Sequence, residues 1–221
     1  MADLAKLERS VVRHSFLARH RFQLRKVAEH PEVLRFNTLQ TQLFNAIRKI
    51  SGKSTVLDSS KAGPRAWILS AGDQSLELLH LRRSARDVVT SWRVPKFEPA
   101  TGQMMKKPSI FAAAIDWAKV EHSASHLAKS KSIARMSYHS FASQPRSALT
   151  NNLPSLADTV AWKNEMTVAQ TAPYHSVLGN PDRYQSGDIV ISPRAVSIEK
   201  LGWAERRVVA WIAAGLERLY P

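Results

Sequence analysis

The stretch with the most chemical promise is Glu77 to Trp92, ELLHLRRSARDVVTSW. It opens on a short apolar run, Leu78, Leu79 and Leu81, of the length and kind expected of a buried parallel strand. Arg82 and Arg83 follow, Ser84 and Ala85 form a polar turn, and Arg86 to Trp92 suit a helix. This order predicts an anion site. The first amides of a helix lack intrahelical partners, its dipole is positive at that end, and arginines fork onto phosphate oxygens. The same residues also fit a βα turn with solvated arginines, and spacing alone favours that plainer arrangement. Ser51-Gly52-Lys53-Ser54-Thr55 is not a phosphate loop, because Ile47 stands where the earlier glycine is needed and a helix precedes it. Further along, Gly179, Asn180 and Pro181 force a turn that presents Arg183.

The elements that must hold these groups follow from periodicity. Residues 3–30 read as one amphipathic helix with Leu4, Leu7, Val11, Phe16 and Leu17 on its apolar face. A second helix starts at Pro31, uses Phe36, Leu39, Leu43, Ile47 and Ile50, and stops at Gly52. A strand over Ser54–Leu57 leads into Asp58-Ser59-Ser60-Lys61, with Gly63-Pro64 opening the next turn. Arg93 to Lys107, rich in Pro, Lys and Met, forms a surface loop that Phe97, Met104 and Met105 can anchor. A helix over Ile110–Lys129 has Phe111, Ile115 and Trp117 as core candidates, and Ile133–Tyr138 is a strand. The last helix, Ala204–Tyr220, is expected to bury Val208, Trp211, Ile212 and Leu216.

Composition bounds the partners. The net charge is +14, nearly all of it in residues 1–135, which suits an acidic surface, a nucleic acid or a highly phosphorylated small molecule. No aromatic interleaving marks the basic helices near the start as a nucleic-acid surface, so nucleic acid is not the expected partner. No apolar run approaches the ~18 residues of a membrane span, and MADLAKLERS lacks the apolar core of a secretory signal. The absence of cysteine removes disulfides, thiolate metal sites and cysteine nucleophiles. A cytoplasmic protein without a metal is the expectation.

HLRRSARDVVTSW resembles the segment of bacterial-type sulfotransferases that holds the 3′-phosphate of the donor, 3′-phosphoadenosine 5′-phosphosulfate (PAPS). The resemblance pairs Arg83 with Ser91, two helical turns on, and keeps a tryptophan at Trp92; Ser84 stands where the family usually has an acid. VLDSSKAGPRA resembles the family's VDSSK stretch at the carboxyl end of a sheet strand, the edge that faces the ligand crevice. It implies that Lys61 neutralises charge on the leaving phosphate and that Ser59 or Ser60 holds a sulfuryl oxygen. SYHSFASQP resembles RYEDLVADP, keeping Tyr138, Phe141 and Pro145 but losing the arginine and both acids before the apolar position. HSVLGNPDRYQSG resembles the closing motif HTVSGNPMRFRTG, matching at His175, Gly179, Asn180, Pro181, Arg183 and Gly187, and makes Arg183 a second phosphate clamp.

The resemblance covers nearly the whole chain and implies a single sulfotransferase-like domain over 1–221. Its expected fold is α/β, a P-loop-type parallel sheet flanked by helices, with the first strand and the glycine-, serine- and arginine-rich phosphate loop missing. The implied activity is transfer of a sulfuryl group from PAPS to an acceptor hydroxyl or amine, with neither the acceptor nor a base assigned. The rival reading is a non-catalytic relative that binds a nucleotide or nucleic acid. Loop contacts of this kind are worth about 1.5–3 kcal/mol each. Without two or three of them donor binding weakens roughly a hundredfold to a millionfold, so no transfer is expected of this sequence alone. Unpaired sheet edges, open to self-association, are the other expected consequence.

Overall fold

The computed structural model describes residues 2–59, 62–72, 75–95, 97–98, 102–105, 107–168, 188–193 and 201–220. It is mostly helical, with a small parallel sheet, and is α/β only in that loose sense. The chain divides into two compact units, Met1–Leu78 with Lys119–Ile133, and Leu79–Ala118 with Ala134–Pro221.

In the first unit the expected single helix over 3–30 is three: α1 (Ala2–Val11), α2 (His14–Arg19) and α3 (Leu24–Ala28). The chain reverses at Arg21 and Phe22, whose φ values of 53° and 48° lie in the left-handed region. For non-glycine residues that conformation costs roughly 1–2 kcal/mol each. Packing offsets it, since the Phe22 ring meets Trp67 and His122 edge-on at centroid distances of 5.8 and 4.9 Å. The predicted apolar face survives the breaks: Leu7, Val11, Phe16 and Leu17 join Val27, Phe36, Trp67 and Ile68 in one core.

The second predicted helix, α4, runs Pro31–Ser51 and is closed by Gly52 at φ 65°, as the Pro and Gly signals required. Its apolar stripe is only half used. Phe36 is fully buried, but Ile47 and Ile50 are exposed, because the last turns of α4 extend past the core that covers the first ones. The strand expected over Ser54–Leu57 is not formed; the segment is irregular and Leu57 is exposed. Four apolar or hydroxyl residues do not make a strand without a neighbour to accept their backbone hydrogen bonds. An arginine ties the segment down instead. Arg65, on α5 (Gly63–Gly72), donates to Asp58 at 2.8 Å, Glu8 at 2.9 Å and Gln40 at 3.1 Å. Gly63 sits so close to Ser123 that an added Cβ would lie 2.9 Å from the serine Cβ, so Gly63 is a close-approach point.

The second unit begins with β1 (Leu79–Arg82), followed by α6 (Ala85–Arg93) and a short hairpin of β2 (Phe97–Glu98) and β3 (Gln103–Met104). Then come α7 (Ile110–Leu127), whose residues from Lys119 onward belong to the first unit, and β4 (Ala134–Ser137). β4 pairs with β1 in parallel, Leu79 opposite Ala134 and Arg82 opposite Ser137. Three short helices follow, α8 (Tyr138–Ser143), α9 (Pro145–Asn152) and α10 (Pro154–Ala157). The pair β5 (Thr167–Val168) and β6 (Ile189–Val190) precedes the last helix, α11 (Trp203–Leu219).

Several core expectations fail here for one reason, that a stripe is buried only where something covers it. Leu79 packs against Met136 and Leu149, but Leu81, two residues further on the same strand face, runs past that cluster and is 42% exposed. Leu78 lies before the strand and is half-buried. On α7, Ala113, Ala114 and Trp117 are buried while Phe111 and Ile115 face outward. On α11 the buried residues are Val209 and Ala213, and Trp211 is 77% exposed. Among the described residues the parallel sheet has two strands, and no helix is long and apolar enough to cross a membrane.

Candidate functional site: the turn between β1 and α6

The strand-to-helix handover forms where the sequence predicted it. Ser84 is the N-cap of α6 and accepts a hydrogen bond from the Asp87 amide at 3.1 Å, which is why the chain turns sharply after Arg83. The parallel register that sets Arg82 opposite Ser137 carries Arg83 alongside Tyr138, the first residue of α8. The Arg83 guanidinium lies 4.6 Å from the centroid of the Tyr138 ring. The Arg83 carbonyl accepts the Trp117 indole N–H at 2.9 Å, fixing the backbone from the other side.

Arg83 retains hydrogen-bonding capacity. Its Nε is buried without a hydrogen-bond partner, and its carboxylate neighbour, Asp87 one helical turn on, is 3.8 Å away. That separation gives Coulomb attraction but no hydrogen bond. Ser91 is half-buried and shares the stripe of α6 defined by Ser84 and Asp87, at i, i+3 and i+7, so it projects on the side that Arg83 approaches.

Other groups of the turn also have partners within the fold. Arg82 donates to the Tyr220 carbonyl and lies 5.9 Å from the Trp117 ring centroid, which makes it a packing residue. The Ala85 amide donates to Glu217 Oε1 at 3.1 Å. Of the first three amides of α6, those of Ala85 and Asp87 therefore have acceptors, correcting the expectation of an open helix start. Glu217 sits in the last turn of α11, where its own helix dipole disfavours a carboxylate, and the start of α6 compensates it. At the far end of α6, Arg93 donates to Glu205. That contact, with the Gly202 amide, holds the Glu205 carboxyl below the usual carboxylate range.

Ser60, Lys61 and Arg183 lie outside the described residues. Next to the first two, Asp58 is bound by Arg65 and Ser59 is exposed. His139 is exposed, as are Phe97, Met104 and Met105 on the β2–β3 hairpin. An open depression of about 500 Å³ is lined by Arg146, Asp158 and Trp162 among others, and holds none of the expected site residues. Among the described residues no group of three or more His, Asp or Glu is arranged to hold a metal ion.

Sequence reasoning missed Asp87 and Glu217, and it did not place Trp117, a core candidate, or Tyr138, a kept motif position, beside this turn. Asp87 was legible as the i+4 partner of Arg83. Tyr138 was legible only through the pairing of β1 with β4, and Glu217, 132 residues from Ala85, had no local signal. No family model, curated protein or solved structure matches this chain.

Proposed function

We propose that this chain is a sulfotransferase-type protein whose β1–α6 turn takes the 3′-phosphate of PAPS. The supporting observation is Arg83: its guanidinium stacks on Tyr138, its backbone carbonyl is held by Trp117, and its buried Nε has no hydrogen-bond acceptor among the described residues. A buried donor left unpaired costs about 1–3 kcal/mol, and an anionic oxygen at this turn removes that cost. In this reading Arg83 and Ser91 hold the 3′-phosphate, Arg183 clamps the donor from the closing motif, and Ser60 contacts a sulfuryl oxygen. The fold would be a P-loop-type parallel sheet, and the location cytoplasmic.

The reaction is an in-line displacement. The acceptor oxygen or nitrogen forms a bond to sulfur as the bond from sulfur to the bridging phosphate oxygen breaks. The electron pair leaves with adenosine 3′,5′-bisphosphate, where Lys61 neutralises it, and the acceptor proton passes to a base this chain does not identify. One observation favours the rival reading of a non-catalytic nucleotide-binding relative: Glu217 already supplies a negative charge at the start of α6. A labelled-donor transfer assay, run beside equilibrium binding of adenosine 3′,5′-bisphosphate, separates the two. Transfer lost in Lys61→Met with binding kept supports the enzyme; binding without transfer supports the relative; neither refutes the proposal.

A further inference from the structure

Trp211, expected in the core, stands on the outer face of α11, and it is not alone there. Trp203, Arg207, Ala210, Trp211, Ala214 and Arg218 follow one another at i, i+4, i+7, i+8, i+11 and i+15, and all are exposed. They form one stripe about 22 Å long, with the two indoles 72% and 77% exposed. The Arg207 guanidinium lies 5.2 Å from the Trp203 ring centroid, so the first indole already carries a stacked cation. Both acids of the helix are engaged elsewhere, Glu205 with Arg93 and Glu217 with the Ala85 amide. The arginines of the stripe therefore face outward without a carboxylate on their own helix to neutralise them.

From this geometry we propose that the outer face of α11 binds single-stranded nucleic acid. Flat π surfaces alternating with guanidinium groups suit bases stacked on indoles beside phosphates paired with arginine, a mode that reads no sequence. The partner is anionic, because the stripe carries two arginines that no carboxylate of their own helix neutralises. An anionic lipid surface fits less well. Membrane-surface helices segregate apolar from basic residues, whereas here an arginine lies over one indole and stands between it and the next, leaving little continuous apolar area to insert. A protein this basic attracts polyanions in any case, so the role of the indoles is what must be measured.

The test is fluorescence anisotropy of a fluorescein-labelled oligouridylate titrated with the full chain, the Trp203→Ala/Trp211→Ala variant and the Arg207→Gln/Arg218→Gln variant. Both pairs are exposed, and circular dichroism checks that each variant keeps its fold. The expected result is saturable binding, weakened about tenfold for each indole lost, and a shallower salt dependence in the arginine variant. Vesicles of phosphatidylserine and phosphatidylcholine are the comparison. Oligouridylate binding that is unchanged without the indoles, or vesicle binding with no oligouridylate binding, overturns the proposal. Adenosine 3′,5′-bisphosphate binding is expected to survive in both variants, so this surface and the β1–α6 turn fail or stand separately.

Discussion

Two arginines of this protein, one in each unit, are held in opposite ways. Arg65 is only 10% exposed in its side chain and is answered on every side, by Glu8, Asp58 and Gln40, with the Phe36 ring 5.6 Å from its guanidinium carbon. Arg83 is 22% exposed and has one carboxylate at 3.8 Å, one aromatic face and an unanswered buried Nε. The first is a structural rivet, its charge spent inside the fold. The second is positioned by its backbone and its stack, leaving charge to spare for something else. Position alone cannot tell these roles apart; the accounting of donors can.

The comparison is broken most forcefully at Arg65. Replacing it by Met leaves Gln40 buried and takes away the guanidinium that Glu8 and Asp58 share, and chemical denaturation should show a loss of about 3 kcal/mol. That is the low end for removing one member of a buried pair, since Glu8 stays half in solvent. Arg83→Ala should behave conversely. Its effect on stability should stay below about 1 kcal/mol because its ion pair is long and partly exposed, while binding of adenosine 3′,5′-bisphosphate falls at least tenfold.

Much of this was readable in advance, and what was not has a common cause. Pro31 and Gly52 act through local backbone geometry, so they fixed both ends of α4. Ser84 acts through its own side chain on the next turn, so the start of α6 was readable too. The reversal at Arg21 and Phe22 carries no glycine, and depends on Phe22 finding Trp67 and His122 far along the chain. Ile50 and Trp211 obey helical periodicity, yet periodicity reports a face and not its cover. The strand, the arginines and the polar turn were legible in the sequence; the Glu217 contact at the start of α6 was not, because it spans the unit.

A smaller effect should distinguish the first unit by pH. His126 has its pKa lowered, mainly by burial and further by His122 and Lys129, and it packs on Phe22 with ring centroids 5.1 Å apart. The folded form therefore favours neutral His126, and the unfolded chain binds the extra proton. The stabilisation is present above the ordinary histidine value of 6.5 and is lost as pH falls below it. Thermal melts from neutral to mildly acidic pH should show this loss, and His126→Gln should flatten it. The smallest effect belongs to Ile50→Ser, which removes an 86% exposed side chain and should change stability by no more than about 0.5 kcal/mol.

The most direct measurement is calorimetry of adenosine 3′,5′-bisphosphate against adenosine 5′-monophosphate, on the wild-type chain and on Arg83→Ala. The β1–α6 turn as a 3′-phosphate site predicts that the wild type prefers the bisphosphate by about tenfold or more, the worth of one charge-assisted contact, and that Arg83→Ala removes the preference. Equal affinity for the two ligands in the wild type, or a preference that persists without Arg83, would contradict it.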